Sequence, residues 1–361
     1  MSVSADREIP FDCAFVPSFT ITRFRINLLF DTPVAWSPLS GIVIRGALGE
    51  QLCRTNTDAY NALFKPPGAV PAPLIVQPVV AADTPDLRSV VGALAPEAGP
   101  FSFHDLHHHI YLHYRRRVAF DLLLLGNTAR DHAEFLLAQV WEMQHDGLGR
   151  YSAEAAGRVG FRVVGIAHID ADGVHTAVVR ENEDGEPTRV WQSPTGGLPV
   201  SFGPYEAVRR AKTLARGSHL DIEVTSPMAL RAQVGNGRDR QAPIKEPSFT
   251  DLINKSWNRL RTLDRHYADE GASGDAPLAR PGRRELQSVR GRWLYHHWTD
   301  QEVSSRSAAG RTRVQGVVGV HCAPNYVRAA LPLLAYIEEV GIGQMTISGM
   351  GRIRVSPVNM P

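Results

Sequence analysis

The stretch "LPLLAYIEEVGIGQMTISGMGRIRV", residues 331–355, decides how this chain folds. It carries two Gly-x-Gly pairs, Gly341/Gly343 and Gly349/Gly351, and such pairs let a backbone come close to a neighbour. A dinucleotide-binding loop would follow a strand, open a helix and lead to another strand. Here the order is reversed. Leu333, Leu334 and Ile337 have helical spacing, Glu338 and Glu339 suit a helix surface, Pro332 fits a first turn and Gly341 a C-cap. After Gly351 only "RIRV" remains to make a strand. The loop therefore joins a helix to a strand, and neither a nicotinamide fold nor a P-loop fold is left room.

Working outward, the same order of elements occurs twice. In the first half "ITRFRINLLF" alternates as a strand and "IVIRGALGEQLCR" has helical spacing. "APLIVQPVV" and "IYLHYRRRVAFDLLLL" read as extended. "NTARDHAEFLLAQVWEMQHDG" reads as one helix, with Thr128 and Asp131 spaced as a capping box and Gly147 ending it, and "RVGFRVVGIAHI" closes the unit. In the second half "HLDIEVTSPMAL" is a strand. "SFTDLINKSWNRLRTLDRHY" is a helix capped by Ser248, with Phe249, Leu252, Ile253, Trp257, Leu260, Leu263 and Tyr267 on one face. "GRWLYHHWTD" and "TRVQGVVGVH" pair as strands before the final helix, loop and strand. "GLGR" (147–150) and "GMGR" (349–352) follow the second helix of each half. The expectation is an α+β chain of two tandem ferredoxin-like (βαββαβ, RRM-like) domains with a C-terminal glycine-rich loop. Residues 1–170 would form the first domain, 171–217 a hairpin and linker, and 218–361 the second domain.

Composition sets bounds on function. The 361 residues are 43% hydrophobic and 21% charged, as in ordinary globular proteins. A net charge of +2 does not announce a nucleic-acid partner, so any basic surface must be local. Cys13, Cys53 and Cys322 are odd in number and far apart, which argues against a disulfide framework and for a reducing compartment. No signal-like or membrane-length apolar run is present, so the expectation is a cytoplasmic protein with no membrane partner.

Five segments, taken in order, resemble the RAMP superfamily of CRISPR-associated proteins, in particular its pre-crRNA-processing endoribonuclease branch. They are "IRGALGEQLCR", "FDLLLLGNTARDHAEFLLAQVWEMQHDGLGR", "IEVTSPMALR" with "FTDLINKSWNRLRTLDRHYADEG", "WTDQEVSSRSAAGRTRVQGVVGV" and "VGIGQMTISGMGRIRV". The resemblance spans most of residues 21–356. It implies an endoribonuclease that cuts CRISPR repeat RNA in precursor transcripts into guide RNAs. The 2′-hydroxyl would attack the adjacent phosphate, leaving a 2′,3′-cyclic phosphate, with no metal and no cofactor. The implied partners are repeat RNA, the processed crRNA and other subunits of an effector complex. The alternative is a non-cutting subunit that only holds guide RNA.

In many members of that family the histidine lies between the first strand and first helix, or in that helix. Here "DTPVAWSPLSGIVIRGALGEQLCR" has neither His nor Tyr. The candidates for acid–base work are instead His296 or His297, with Tyr295 as partner, since histidine titrates near neutrality. On a strand the two histidines face opposite sides. Arg306, Arg311 and Arg313 would donate to phosphate. Arg290 and Arg292 belong to a basic arm, "RPGRRELQSVRGR", read either as ordering on RNA or as a disordered loop. Arg115, Arg116 and Arg117 read either as RNA contacts or as a solvated edge. In the terminal loop the amides of Gly341, Gly343, Gly349 and Gly351 would face phosphate, with Gln344 and Arg352 beside them; the family commonly has Lys in place of Gln344. His107, His109, Tyr111 and His113 would share a strand face that reads as a metal site, an RNA surface or a polar face. His321 reads as structural.

Overall fold

The computed structural model describes residues 12–79, 113–152, 157–182, 187–189, 199–233, 241–268, 277–304 and 311–359. The first sheet is built from β1 (Ile21–Trp36), β2 (Leu74–Val79), β3 (His113–Leu125), β6 (Phe161–Ile169), β7 (His175–Glu181) and β8 (Pro187–Arg189). Its order is β2-β3-β1-β6-β7-β8, with every pairing antiparallel. The second contains β9 (His219–Met228), β12 (Arg292–Ser304), β13 (Arg311–Pro324) and β14 (Ile353–Val358), in the order β12-β13-β9-β14. Numbering the four βαββαβ strands of each half, both sheets read 2-3-1-4. That is the ferredoxin-like arrangement the sequence leads one to expect, twice over. Two small ribbons, β4 (Leu148–Ser152) with β5 (Gly157–Val159) and β10 (Arg231–Gln233) with β11 (Gln241–Pro243), stand apart from them.

One face of β1 carries Phe24, Ile26, Leu28 and Phe30, all buried against α1 (Ser40–Thr55) and α4 (Ala133–Asp146). Strand alternation sends Arg23, Arg25 and Asn27 to the opposite, open face. The stretch read as one helix from residue 127 is two, α3 (Gly126–Asp131) and α4, separated at His132. No capping box forms there: the N-caps are Leu125 and His132, and neither makes a side-chain cap bond. In α6 (Phe249–Tyr267) the expected cap is present, with Ser248 and Asp251 bonding each other's backbone amides. Trp257 is only partly buried and is replaced in the core-facing row by Ser256. The polar segment after residue 170 adds β7 and β8 to the first sheet. It also supplies α5 (Pro204–Leu214), where the sequence suggests only a linker. The small face of α5, Ala207, Ala211 and Leu214, joins the core of the second half.

The two halves are joined by α8 (Leu331–Val340), eight of whose ten residues are buried. Its core continues directly into Phe19, Ile21, Ile75, Leu123 and Leu125 of the first half. The Tyr336 hydroxyl lies 2.8 and 2.9 Å from the carbonyl oxygens of Pro17 and Phe19. Gly341 caps the helix at φ 69°, ψ 172°, and Gly147 caps α4 with the same angles. Gly149 and Gly343 follow, both at positive φ. The repeat is therefore Gly147–Gly149 with Gly341–Gly343, and the "GMGR" match lies eight residues further on, in an added stretch.

That added stretch is a clamp. Its 3-10 turn Thr346–Ser348 packs on β2 and α1, and the space available fixes the glycines. A Cβ on Gly351 would lie 1.8 Å from the Ile342 oxygen, and one on Gly41 would lie 2.3 Å from the Ser348 oxygen. Gly351→Ala is expected to lower stability by more than about 2 kcal/mol, combining a positive-φ strain with a backbone clash. Gly68 also has positive φ but nothing within 4 Å of its added Cβ, so Gly68→Ala should cost no more than about 1 kcal/mol. Urea unfolding of the two variants reads the difference.

Candidate nucleic-acid interface

Strand β12 sorts the candidate residues. Arg292 pairs with Cys322, Tyr295 with Val320 and His297 with Val318, so these three share one face. A bulge between Trp293 and Tyr295 keeps Trp293 and His296 on the other face. There Trp293 meets His321 edge-on at 5.2 Å and His296 at 5.6 Å, and its indole donates to the Pro247 carbonyl at 2.9 Å. His296 therefore lies on the helix side. His297 and Tyr295 lie on the open face. Burial, and then the neighbouring His296, lower the pKa of His297, so it is neutral at pH 7 and able to accept a proton. Burial raises the pKa of Tyr295, whose enclosed hydroxyl has no hydrogen-bond partner.

The row through Tyr295 runs straight across the second sheet, from Tyr295 to Val320, Glu223 and Arg354. Glu223 stands two strands from Tyr295, about 9.6 Å away at the usual strand spacing. It pairs with Arg354 at 3.6 Å. Glu223, Thr225 and Arg354 also line a cleft of about 820 Å³, whose opposite wall is Arg23 and Arg25 of the first sheet. The open faces of both sheets thus meet in one cleft.

Ion pairs hold the cleft. Arg25 makes a two-pronged bond to the fully enclosed Asp121 at 2.8 and 3.0 Å. Arg23 pairs with Glu339, and burial lowers its pKa to about 10. Arg210 grips Glu338 at 2.8 and 2.9 Å and donates to the Val355 oxygen, while Glu338 accepts from the Val355 amide at 2.7 Å. This pair closes the exposed edge of β14. Arg352 reaches into the same cleft and donates to the Pro78 carbonyl at 3.1 Å.

Other expected contacts are placed differently. Arg313 makes two bonds to Asp300, one of 2.7 Å; these, with a bond from Gln315, hold the Asp300 carboxyl at about 2. Arg313 stands opposite Glu302, five residues along β12 from His297, or roughly 17 Å at strand rise. Arg311 is opposite Ser304, further still. Neither is beside the histidine, and the arginines that share its face are Arg292 and Arg354. Arg306, His107, His109 and Tyr111 lie outside the described residues. Arg115 and Arg117 fall on the open face of the first sheet, while Arg116 donates from Nε to the Phe30 oxygen at 3.1 Å. The basic arm is docked from residue 277 onward. Leu286 and Val289 are buried, Arg280 bonds Asn254 at 2.9 Å, and Arg290 and Arg292 remain exposed.

The loop glycines face the protein. The amides of Gly341, Ile342, Gln344, Gly349 and Gly351 donate to the carbonyls of Ile337, Gly351, Ala229, Thr346 and Pro227. The Arg352 amide donates to Ser226 Oγ at 2.8 Å. These donors are already satisfied, so the expected backbone phosphate cradle does not form from them. In the first half Arg45, in the middle of α1, is buried, bonds the Leu74 carbonyl at 2.8 Å and lies over the Phe64 ring. Sequence reasoning missed Arg23 and Arg25, although their alternation with Phe24 and Ile26 placed them on one face.

The AF_1859_N N-terminal-domain family matches residues 19–192, a little under half of the chain. No curated protein matches the chain by sequence. Among solved structures, a partial Cas6-RT-Cas1–Cas2 complex superimposes with a TM-score of 0.53 at 13% identity, over 95% of this chain and 47% of that one. The chain thus spans about half the length of that relative. Thermus thermophilus Cas6 gives a TM-score of 0.43 at 10% identity, over 94% of this chain and 99% of that one. A Cas6-related protein from Pyrococcus furiosus gives 0.44 at 10% identity, over 93% and 98%. The chain shares its fold with the Cas6-containing chain of the partial Cas6-RT-Cas1–Cas2 complex.

His321 offers a test of this packing. Burial between Phe249 and Trp293 lowers its pKa to about 4. The unfolded chain therefore takes up a proton first. Stability is fully present above about pH 6.5, declines toward pH 4 by at most about 3 kcal/mol, and levels off below. His321→Leu should flatten that part of the profile, measured by urea midpoints from pH 4 to 8.

Proposed function

We propose that the chain binds CRISPR repeat RNA and cuts it without a metal ion. The observation that supports this is the pair of ferredoxin-like sheets whose open faces meet in one cleft, since such sheets commonly present RNA surfaces. In this reading His297 removes the proton of the 2′-hydroxyl. The 2′-oxygen bonds to phosphorus while the bond to the 5′-oxygen breaks, and Tyr295 supplies the proton that oxygen needs. Arg292 and Arg354 offset the charge that develops on the phosphoryl oxygens. The products are a 2′,3′-cyclic phosphate and a 5′-hydroxyl. The work is that of an endoribonuclease acting in the cytoplasm, with crRNA and other subunits of a CRISPR complex as partners.

The test is cleavage of a labelled repeat RNA in excess EDTA, with a matched substrate carrying a 2′-deoxy at the cut site. Cleavage in EDTA that the 2′-deoxy blocks is expected. His297→Ala and Tyr295→Phe should each slow it about 100-fold or more, the scale of general acid–base catalysis, while His296→Ala leaves it within a few-fold. The rate should rise with pH below about 6.5 as His297 loses its proton, then stay level to about pH 9. Equal losses in both histidine variants, with unchanged RNA binding, would defeat the assignment.

A second reading has its own support. The segment before and within α1 carries no His or Tyr, and Arg45 there is committed to packing. A guide-holding subunit without cleavage fits that feature. It predicts tight, salt-sensitive RNA binding with intact substrate recovered after long incubation.

A further inference from the structure

Two adjoining cavities lie on either side of Gln344, away from the cleft. One, of about 320 Å³, is lined by Arg231, Lys255, Arg259 and Thr262, together with Gly343 and Gln344, and among the described residues no carboxylate lines it. The other, of about 280 Å³, shares Arg231 and Gln344 and adds Arg313. The contrast with the inter-half cleft is physical. There six arginines are matched by six carboxylates, so its charges are largely satisfied within the protein. Here three cations line one cavity with no acidic partner among the described residues.

Arg259 shows the imbalance best. It comes from α6 and one terminal nitrogen donates to the Val340 carbonyl at 3.0 Å, covering the end of α8. Its Nε is enclosed and has no partner. Burial alone lowers its pKa to about 10, with no carboxylate acting on it. Lys255 stands one helical turn earlier on the same face. Among the described residues neither Lys255 nor Arg231 forms an ion pair. A helix end satisfies one donor of a guanidinium, but three enclosed or converging positive charges call for an anion from outside.

We propose that the acid-free cavity holds a backbone phosphate of a bound RNA strand, gripped by Arg259, Lys255 and Arg231, with the strand continuing past Gln344 toward Arg313. This rests on the RNA-binding reading above and extends it to residues off the β12 face. A phosphate carries oxygens enough to accept from all three side chains, and Arg recognises it in a two-pronged manner.

The experiment has two arms. In the first, thermal unfolding is followed while inorganic phosphate replaces chloride at constant ionic strength. The melting temperature should rise saturably in the wild type, and Lys255→Ala and Arg231→Ala should each lose most of that rise. Arg259→Met should abolish it, and if that variant does not fold the other two still decide. An equal response to both salts, or an unchanged response in the variants, would overturn the site. In the second arm, repeat-RNA affinity is measured against salt. Each variant should weaken binding and reduce the salt slope by about one charge. Variants that lose the phosphate response but keep wild-type RNA affinity and slope would overturn the RNA assignment. Wild-type protein that binds no RNA defeats the function proposed above, and the phosphate arm separates that result from failure of the pocket.

Discussion

Everything else in the fold depends on burying α8. The sequence "LPLLAYIEEV" is apolar on nearly every side, and a helix of that kind must be covered all round. One sheet can cover only one face. The second half covers one side of α8, and the open face of the first sheet covers another through Ile21, Ile75 and Leu123. Each large apolar side chain so buried is worth about 1.5–3 kcal/mol. Separating the halves would therefore expose several such residues at once. The only charged residues of the helix, Glu338 and Glu339, are placed at the seam, where they hold Arg210 and Arg23. The cleft is a fixed consequence of this packing.

The same constraint explains the glycine-rich stretch. Once α8 is sandwiched, the chain after it must turn within a few ångströms of β2, α1 and β9 before entering β14. Gly343 approaches the Ala229 oxygen and Gly349 the Val76 oxygen too closely for a side chain. The amides find partners inside the turn because buried backbone groups must be paired. Glycine serves close approach here, as the sequence suggests. What it approaches is protein.

The strands and helices were legible because their periodicity is strong: β1 alternates cleanly, and α6 combines a capping box with a long apolar row. The order of elements gave both sheets. Three features were hidden. Helix α5 buries only Ala207, Ala211 and Leu214, so its apolar signal is faint within a polar segment. The break at His132 follows from a local backbone turn that residue types alone do not mark. The match of "GLGR" to "GMGR" is stronger in letters than the true equivalence of Gly147–Gly149 with Gly341–Gly343, which is defined by backbone angles. The candidate site was legible in the separation of His296 from His297, which alternation dictates. The distance from Arg313 to His297 was not, because it depends on the register of β12 against β13.

The β12 bulge gives that register its chemical meaning. Without it Arg292 and Tyr295, three residues apart, would face opposite sides; the extra residue brings them to the same side as His297. Tyr295 then sits in line with Glu223 and Arg354, whose side chains form the wall of the cleft. Its enclosed hydroxyl lacks a partner, at a cost of about 1–3 kcal/mol for a buried polar group. Phenylalanine would pack as well without that cost. The arrangement favours a role for the hydroxyl toward something outside the chain, on the sheet face that also carries His297, Glu223 and Arg354.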